Sequence, residues 1–186
     1  MIDTSPATRA AYYGRADLLG RLLSWWRTRT VLPHVKGELI DLACGDNRLV
    51  RAVGRGVRVD VRREGAADLI VERLDRLPFA DHTVDTVTII ASLNYFDDPA
   101  HVLKEVARIL RHDGVLITTM TSPMISAWWH RIREPWARCH GFSHAEMMDL
   151  LAYGGFVLVG KTRFMCGLNA VYIAHKRSPA MRTAGR

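Results

Sequence analysis

The 186-residue chain is 48% hydrophobic and carries 26 lysines and arginines against 19 aspartates and glutamates, a formal net charge of +7. This length favours one domain whose core needs no disulfides, and three cysteines without a Cys-x-x-Cys pair argue against a structural zinc site. The sequence shows neither a secretory leader nor an apolar run of bilayer length, so we expect a cytoplasmic protein with no transmembrane segment. The charge indicates a solvated basic surface, with an acidic partner, an anionic membrane surface or nucleic acid as alternatives.

Residues 1–34 are predicted to form a helical cap ahead of the main sheet. Ser5-Pro6 is a favourable helix start. Apolar residues then recur at the spacing of one helical face: Tyr12, Ala16, Leu19, Leu23 and Trp26. Trp25 and Trp26 are interpreted as packing in the core or under a lid, with contact to a membrane surface as the alternative.

From residue 38 onward, predicted strands alternate with predicted helices, which is typical of a parallel sheet with right-handed crossovers. The strands are predicted at residues 38–42, 57–61, 68–71, 84–91, 115–120, 156–164 and 170–175. Asp98-Pro99 starts a helix that should end at residues 112–114, and Ser143 starts another through a capping box with Glu146. Residues of about 121–142 interrupt the pattern and are interpreted as a lid or insertion, and residues 177–186 as a disordered basic tail.

The turn Ala43-Cys44-Gly45 follows the first predicted strand and has almost no side-chain bulk. A ligand could therefore approach its backbone closely, and Asp46 or Asn47 could cap the next helix. Asp60 ends the second predicted strand, about twenty residues after the first. A carboxylate at this position can accept both hydroxyls of a ribose. A dinucleotide site, or a plain strand–turn–helix with a strand-end aspartate, would give the same pattern.

The stretch from Glu38 to Val50 resembles the first motif of the class I S-adenosylmethionine-dependent methyltransferases, an acidic residue followed by a glycine-rich turn. Ala43 and Asn47 stand where that motif usually has its first and third glycines. Residues 67–81 and 84–117 resemble the later blocks, so the resemblance covers residues 35–176, most similar to the type 11 group. It implies a Rossmann-like α/β domain, with a mainly parallel seven-stranded sheet, helices on both faces and an antiparallel last strand.

The resemblance also implies which residues would bind S-adenosylmethionine, with S-adenosylhomocysteine as the product. Asp41 would orient the methionine end and Glu72 the adenine amino group, with Asp75 as the rival for that role. Tyr12 and Tyr13 could close over the cofactor, although packing explains them equally well. The remaining expected cofactor residues are Ala43, Cys44, Gly45, Asp60, Val61, Arg73, Leu74, Ala91 and Ser92.

On the acceptor side, the chain has Asn94 and Tyr95 where the family often has a histidine. Either residue could orient an acceptor, and His140 could act as a base, although a packing or surface role explains that histidine as well. We expect no metal site. The predicted function is methyl transfer to an O, N or C atom of a small molecule, including lipophilic ones. The alternatives are a tRNA or rRNA methyltransferase and a non-catalytic cofactor-binding or regulatory protein of the same fold.

Overall fold

The computed structural model describes residues 18–45, 48–63, 67–123 and 141–177. In chain order the strands are β1 (Leu39–Leu42), β2 (Val57–Asp60), β3 (Leu69–Ile70), β4 (Val84–Ile90), β5 (Leu110–Thr121), β6 (Phe156–Phe164) and β7 (Asn169–Lys176). The α-helices are α1 (Leu18–Val31), α2 (Leu49–Val53), α3 (Pro99–Ile109) and α4 (His144–Tyr153), and 3-10 turns lie at Leu32–His34 and Leu93–Tyr95.

The described strands form one seven-stranded sheet in the order β3-β2-β1-β4-β5-β7-β6. The pairs β1–β2, β1–β4, β2–β3 and β4–β5 are parallel, and β7 runs antiparallel to both β5 and β6. The predicted fold class is thereby confirmed. The strand order reverses between β1 and β4, and in open α/β sheets a ligand binds at such a point, outside the carboxyl ends of the strands.

The sheet is covered on two faces, which explains why the residues of β4 are buried on both sides of the strand. One apolar cluster joins α3 and α4 to the sheet through buried residues such as Val106 and Met147. A second cluster joins Val31, the last residue of α1, to Leu39 of β1 and Ile117 of β5. Helix α1 therefore packs on the opposite face from α3 and α4.

Two helix starts agree with their sequence signals. The Asp98 carboxylate accepts a hydrogen bond from the His101 amide at the start of α3, at 3.0 Å. Ser143 and Glu146 form the reciprocal capping box of α4. Helix α3, however, ends at Ile109 and not at residues 112–114. Leu110 is fully buried and already pairs with Val84, so burial of this side chain in the sheet ends the helix early.

The aromatic residues of α1 do not follow the predicted inward stripe. Trp25 is 57% exposed and Trp26 is 40% exposed, so the interpretation of both as core packing is wrong. Their packing under the lid, most of which lies outside the described residues, stays a prediction. The inward face instead carries Val31, which is fully buried, and Arg27 one turn earlier. No helix within the described ranges is both long and apolar enough to cross a membrane.

Helix α2 starts at Leu49, with Arg48 at its N-cap and no side-chain cap bond. The two predicted caps, Asp46 and Asn47, lie outside the described residues, as do most of the predicted lid and nearly all of the basic tail. The division into a helical cap at 1–34, a main domain at 35–176, a lid and a tail stays a prediction.

Candidate functional site

The turn after β1 has the left-handed backbone that a glycine-rich motif would supply. Ala43 has φ of 53° and Gly45 has φ of 50°, and Ala91, at the end of β4, has φ of 54°. An alanine held in this region costs of order 1–3 kcal/mol, and such strain tends to cluster at ligand sites. Ala43, at the position of the motif's first glycine, therefore adopts the left-handed backbone that glycine favours.

Asp60 holds this turn against the end of β2. One carboxylate oxygen accepts the Gly45 amide at 2.8 Å and the other accepts the Arg62 amide at 3.0 Å. The Arg62 Nε also lies 3.5 Å from Asp60 Oδ1, and the Asp60 residue is only 4% exposed. A carboxylate offers about four lone-pair positions, so it can accept further donors beside these two amides.

Ser92 holds the same turn from the other side. Its Oγ lies 2.9 Å from the carbonyl oxygens of both Ala43 and Ile90, and its single hydroxyl hydrogen can serve one of them at a time. The neighbouring Ala91 amide donates to Oγ1 of Thr119 at 2.9 Å. The turns after β1 and β4 are thus linked directly, with side chains of neighbouring strands fixing their positions.

A buried negative charge lies beneath the β1 turn. Asp41 is fully buried in β1 and accepts a hydrogen bond from Thr88 Oγ1 of β4 at 2.6 Å. Burial first, and then the charges of Asp41 and Asp60, raise the pKa of the nearby Cys44 thiol to about 12, while Arg58 opposes this shift. A site with this negative potential favours a cation over an anion.

The predicted adenine side lies beyond β2 and β3. The Val71 amide donates to the Asp60 carbonyl at 3.0 Å, which brings the exposed Glu72 next to the end of β2. Arg73 forms an ion pair with Asp75, with Nε 2.8 Å from Oδ1, and this contact lowers the pKa of the Asp75 carboxyl. Of the two rival carboxylates, Asp75 is therefore already paired, with an exposed arginine. Val61 is exposed, and Leu74 packs against the core.

The predicted acceptor residues lie just past the end of β4. Asn94 and Tyr95 belong to the 3-10 turn at Leu93–Tyr95, where the Tyr95 amide donates to the Ser92 carbonyl at 2.9 Å. Tyr95 is 37% exposed and interacts electrostatically with Arg27 of α1. The other predicted residues on this side, Tyr12, Tyr13 and His140, lie outside the described residues.

The sequence comparisons match this chain to methyltransferases. A family model described as a methyltransferase domain matches residues 40–118. A demethylmenaquinone methyltransferase of Thermobifida fusca is 29% identical over 73% of each chain, and another, of Bacillus cytotoxicus, is 37% identical over 57% of each. The chain is an S-adenosylmethionine-dependent methyltransferase similar to the class I family. The alignments with these curated relatives cover from 48% to 73% of the relatives' own length.

Solved structures share the fold of this methyltransferase at low sequence identity. A Haloferax volcanii methyltransferase, solved in complex with the Trm112 methyltransferase activator, has a TM-score of 0.76 at 19% identity and covers 90% of this chain and 97% of its own. An S-adenosylmethionine-dependent methyltransferase of Thermotoga maritima has a TM-score of 0.71 at 18% identity, covering 83% and 89%. At such identities the likeness concerns the fold alone.

Several residues of the candidate site were not predicted from the sequence. Thr88, Ser92 as a tether between turns, and Thr119 are visible only once the strands are in register. The inward position of Arg27 could have been predicted, because it lies four residues before Val31 and therefore on the same side of the helix. Within the described residues, no group of three or more His, Cys, Asp or Glu side chains is arranged to hold a metal ion.

Proposed function

We propose that this methyltransferase binds S-adenosylmethionine across the carboxyl ends of β1, β2 and β4 and methylates a small molecule. The observation that carries the proposal is the double attachment of the β1 turn, to Asp60 on one side and to Ser92 on the other. Both attachments fix a turn of small residues at the point where the strand order reverses. A turn fixed in this way is preorganised for close approach of a ligand to its backbone.

The residues present fit this cofactor. When bound, S-adenosylmethionine supplies a methyl group on a positively charged sulfur. The buried Asp41 carboxylate, together with Asp60, provides a negative potential that suits this charge. The left-handed Ala43 and Gly45 would line the methionine part, and Ala91 and Ser92 would bound it from the β4 side. Asp60 would accept ribose hydroxyls with its remaining lone pairs, with Val61 beside it.

Glu72 would accept the adenine amino group, and the backbones of Arg73 and Leu74 would flank the ring. The ion pair between Arg73 and Asp75 supports Glu72 over its rival for this role. Tyr95 and Asn94 would orient the acceptor, which needs in-line positioning more than chemical activation. Tyr12, Tyr13 and His140 stay candidates for closing the site and for removing a proton.

A small and lipophilic acceptor is favoured by two observations. The curated relatives above are named for demethylmenaquinone, a small molecule, as their substrate. Helix α1 also exposes the apolar side chains of Leu22, Trp25 and Trp26, and the 3-10 turn that follows it exposes Leu32. These side chains could receive an apolar molecule or lie on the surface that contains it. A cytoplasmic location stays a prediction.

The test is methyl transfer by the purified chain from methyl-labelled S-adenosylmethionine to three acceptors: reduced demethylmenaquinone, a simple catechol and unmodified tRNA. Formation of S-adenosylhomocysteine and of labelled product are measured together. Asp41→Asn should lose most of the activity, and Asp68→Asn, whose carboxylate pairs with Arg58 on the outer strands, should keep it. Label in tRNA alone would favour RNA methylation. Cofactor binding without transfer to any of the three would favour the non-catalytic alternative.

A further inference from the structure

Arg27 lies on the inward side of α1, where the helix faces the sheet. Val31, one turn later, is fully buried against Leu39 at the start of β1. One helical turn rises about 5–6 Å. Along the axis of α1, Arg27 therefore lies farther than Val31 from the start of β1 by one turn. Its electrostatic interaction with Tyr95 places the guanidinium near the turn that follows β4. Arg27 is therefore a cation at the acceptor end of the proposed site.

The guanidinium of Arg27 is incompletely satisfied. Its Nε atom is buried and has no hydrogen-bond partner in the described part of the chain. Burial lowers the pKa of Arg27, and Tyr95 opposes this shift, but an arginine stays charged in either case. Buried donors of a charged group are almost always paired in folded proteins, because an unpaired one costs more than a neutral one. An unpaired buried donor therefore calls for an explanation outside the described contacts.

The neighbouring Arg29 gives the contrast within the same helix. It is exposed, and its guanidinium carbon lies 5.7 Å from the centre of the Trp25 ring, a common surface arrangement. Two arginines of one helix thus differ in environment, since Arg29 lies at the surface over an aromatic ring, whereas Arg27 is largely buried and interacts electrostatically with Tyr95. Of these two arginines, Arg27 is the one with a buried donor that has no partner among the described residues, and the one that interacts with Tyr95 at the end of β4.

We propose that Arg27 is a carboxylate-binding residue of the methyl-transfer site, an inference that rests on the proposed function. The planar guanidinium matches a carboxylate in two parallel hydrogen bonds, and the unpaired Nε is one donor of such a pair. The carboxylate has two sources at this site, the amino-acid end of the cofactor or an acidic group on the acceptor. In both, the ligand completes a hydrogen-bonding group that has no partner among the described residues.

The experiment compares the wild type, Arg27→Met and Arg29→Met by calorimetric titration. Three probes are used: S-adenosylhomocysteine, 5′-methylthioadenosine, which lacks the carboxylate, and 1-hydroxy-2-naphthoate in the presence of saturating S-adenosylhomocysteine. If the cofactor supplies the carboxylate, Arg27→Met weakens S-adenosylhomocysteine about ten-fold or more and leaves 5′-methylthioadenosine unchanged. If the acceptor supplies it, only the naphthoate weakens by that factor. Arg29→Met should match the wild type with every probe.

Thermal melting of the same proteins without ligand is the second readout. Arg27→Met removes a buried donor without a partner, so we expect its melting midpoint to rise by about 2 °C or more. A fall in the midpoint would mean that the guanidinium already has a partner within the chain, and would overturn the assignment. Equal binding of all probes by wild type and Arg27→Met would overturn it as well. Failure of the wild type to bind S-adenosylhomocysteine would instead count against the proposed function.

Discussion

The hydrogen bond between Thr88 and Asp41 fixes the buried carboxylate beneath the β1 turn, and Thr88→Val tests its importance. Both residues are fully buried, and Thr88 Oγ1 lies 2.6 Å from Asp41 Oδ1. Valine keeps the shape of threonine and removes only the donor. Asp41 keeps its other interactions, so the substitution removes one charge-assisted bond and not the whole environment of the carboxylate.

A hydrogen bond to a charged partner contributes about 1.5–3 kcal/mol, against about 1 kcal/mol for a neutral one. We therefore expect Thr88→Val to lower the free energy of unfolding by about 2 kcal/mol. Thr118→Val is the matched control, because Thr118 is fully buried on β5 and donates to a neutral acceptor, the Ile89 carbonyl, at 3.0 Å. That control should lose about 1 kcal/mol.

Urea unfolding followed by circular dichroism measures both variants, with thermal melting as a check. For a chain of this length, 1 kcal/mol corresponds to about 2–4 °C in the melting midpoint. Thr88→Val should therefore melt about 4–8 °C below the wild type and clearly below Thr118→Val. Equal losses in the two variants would refute the reasoning, because they would show that the acceptor of Thr88 carries no special electrostatic weight.

Three further predictions concern groups around the core. Arg108 lowers the pKa of Glu105 below its ordinary value of 4.5, so the ion pair stabilises the fold above that pH and loses this effect as the pH falls through the lower folded pKa. Glu105→Gln should therefore flatten the fall in unfolding free energy between about pH 5 and pH 3. An unchanged slope in the variant would contradict this prediction. Cys44, buried and with a pKa of about 12, should be alkylated far more slowly at pH 8 than the exposed Cys166, and equal rates by mass spectrometry would be inconsistent with its burial. Ser143→Ala should lower the melting midpoint by about 2–4 °C through loss of the α4 cap, and no change in a melting scan would argue against the capping box.

The order of elements could be predicted because its signals are local. Alternating β-branched runs and capping residues identify strands and helix starts without knowledge of the fold, as at Asp98 and Ser143. Helix ends are less well marked. The early end of α3 depends on the pairing of Leu110 with Val84, which are distant in sequence, so the His112-Asp113-Gly114 turn signal was misleading.

The site shows the same division between local and long-range information. The turn at Ala43-Cys44-Gly45 and the aspartate at 60 are readable from residue type and spacing. The contacts that fix them, between Asp60 and Gly45 and between Ser92 and Ala43, join different strands and require the register of the sheet. The exposure of Trp26 was also not predictable, because a stripe of apolar residues does not specify which side of a helix meets the sheet.

The most direct test of the account is calorimetric titration of the purified chain with S-adenosylmethionine and S-adenosylhomocysteine. The wild type is compared with Asp60→Asn and with Asp68→Asn, whose carboxylate pairs with Arg58 away from the β1 turn. We predict that both ligands bind the wild type, that Asp60→Asn weakens them about ten-fold or more, and that Asp68→Asn leaves them nearly unchanged. Absence of binding to folded wild type, or equal affinity in the wild type and Asp60→Asn, would contradict the proposed site.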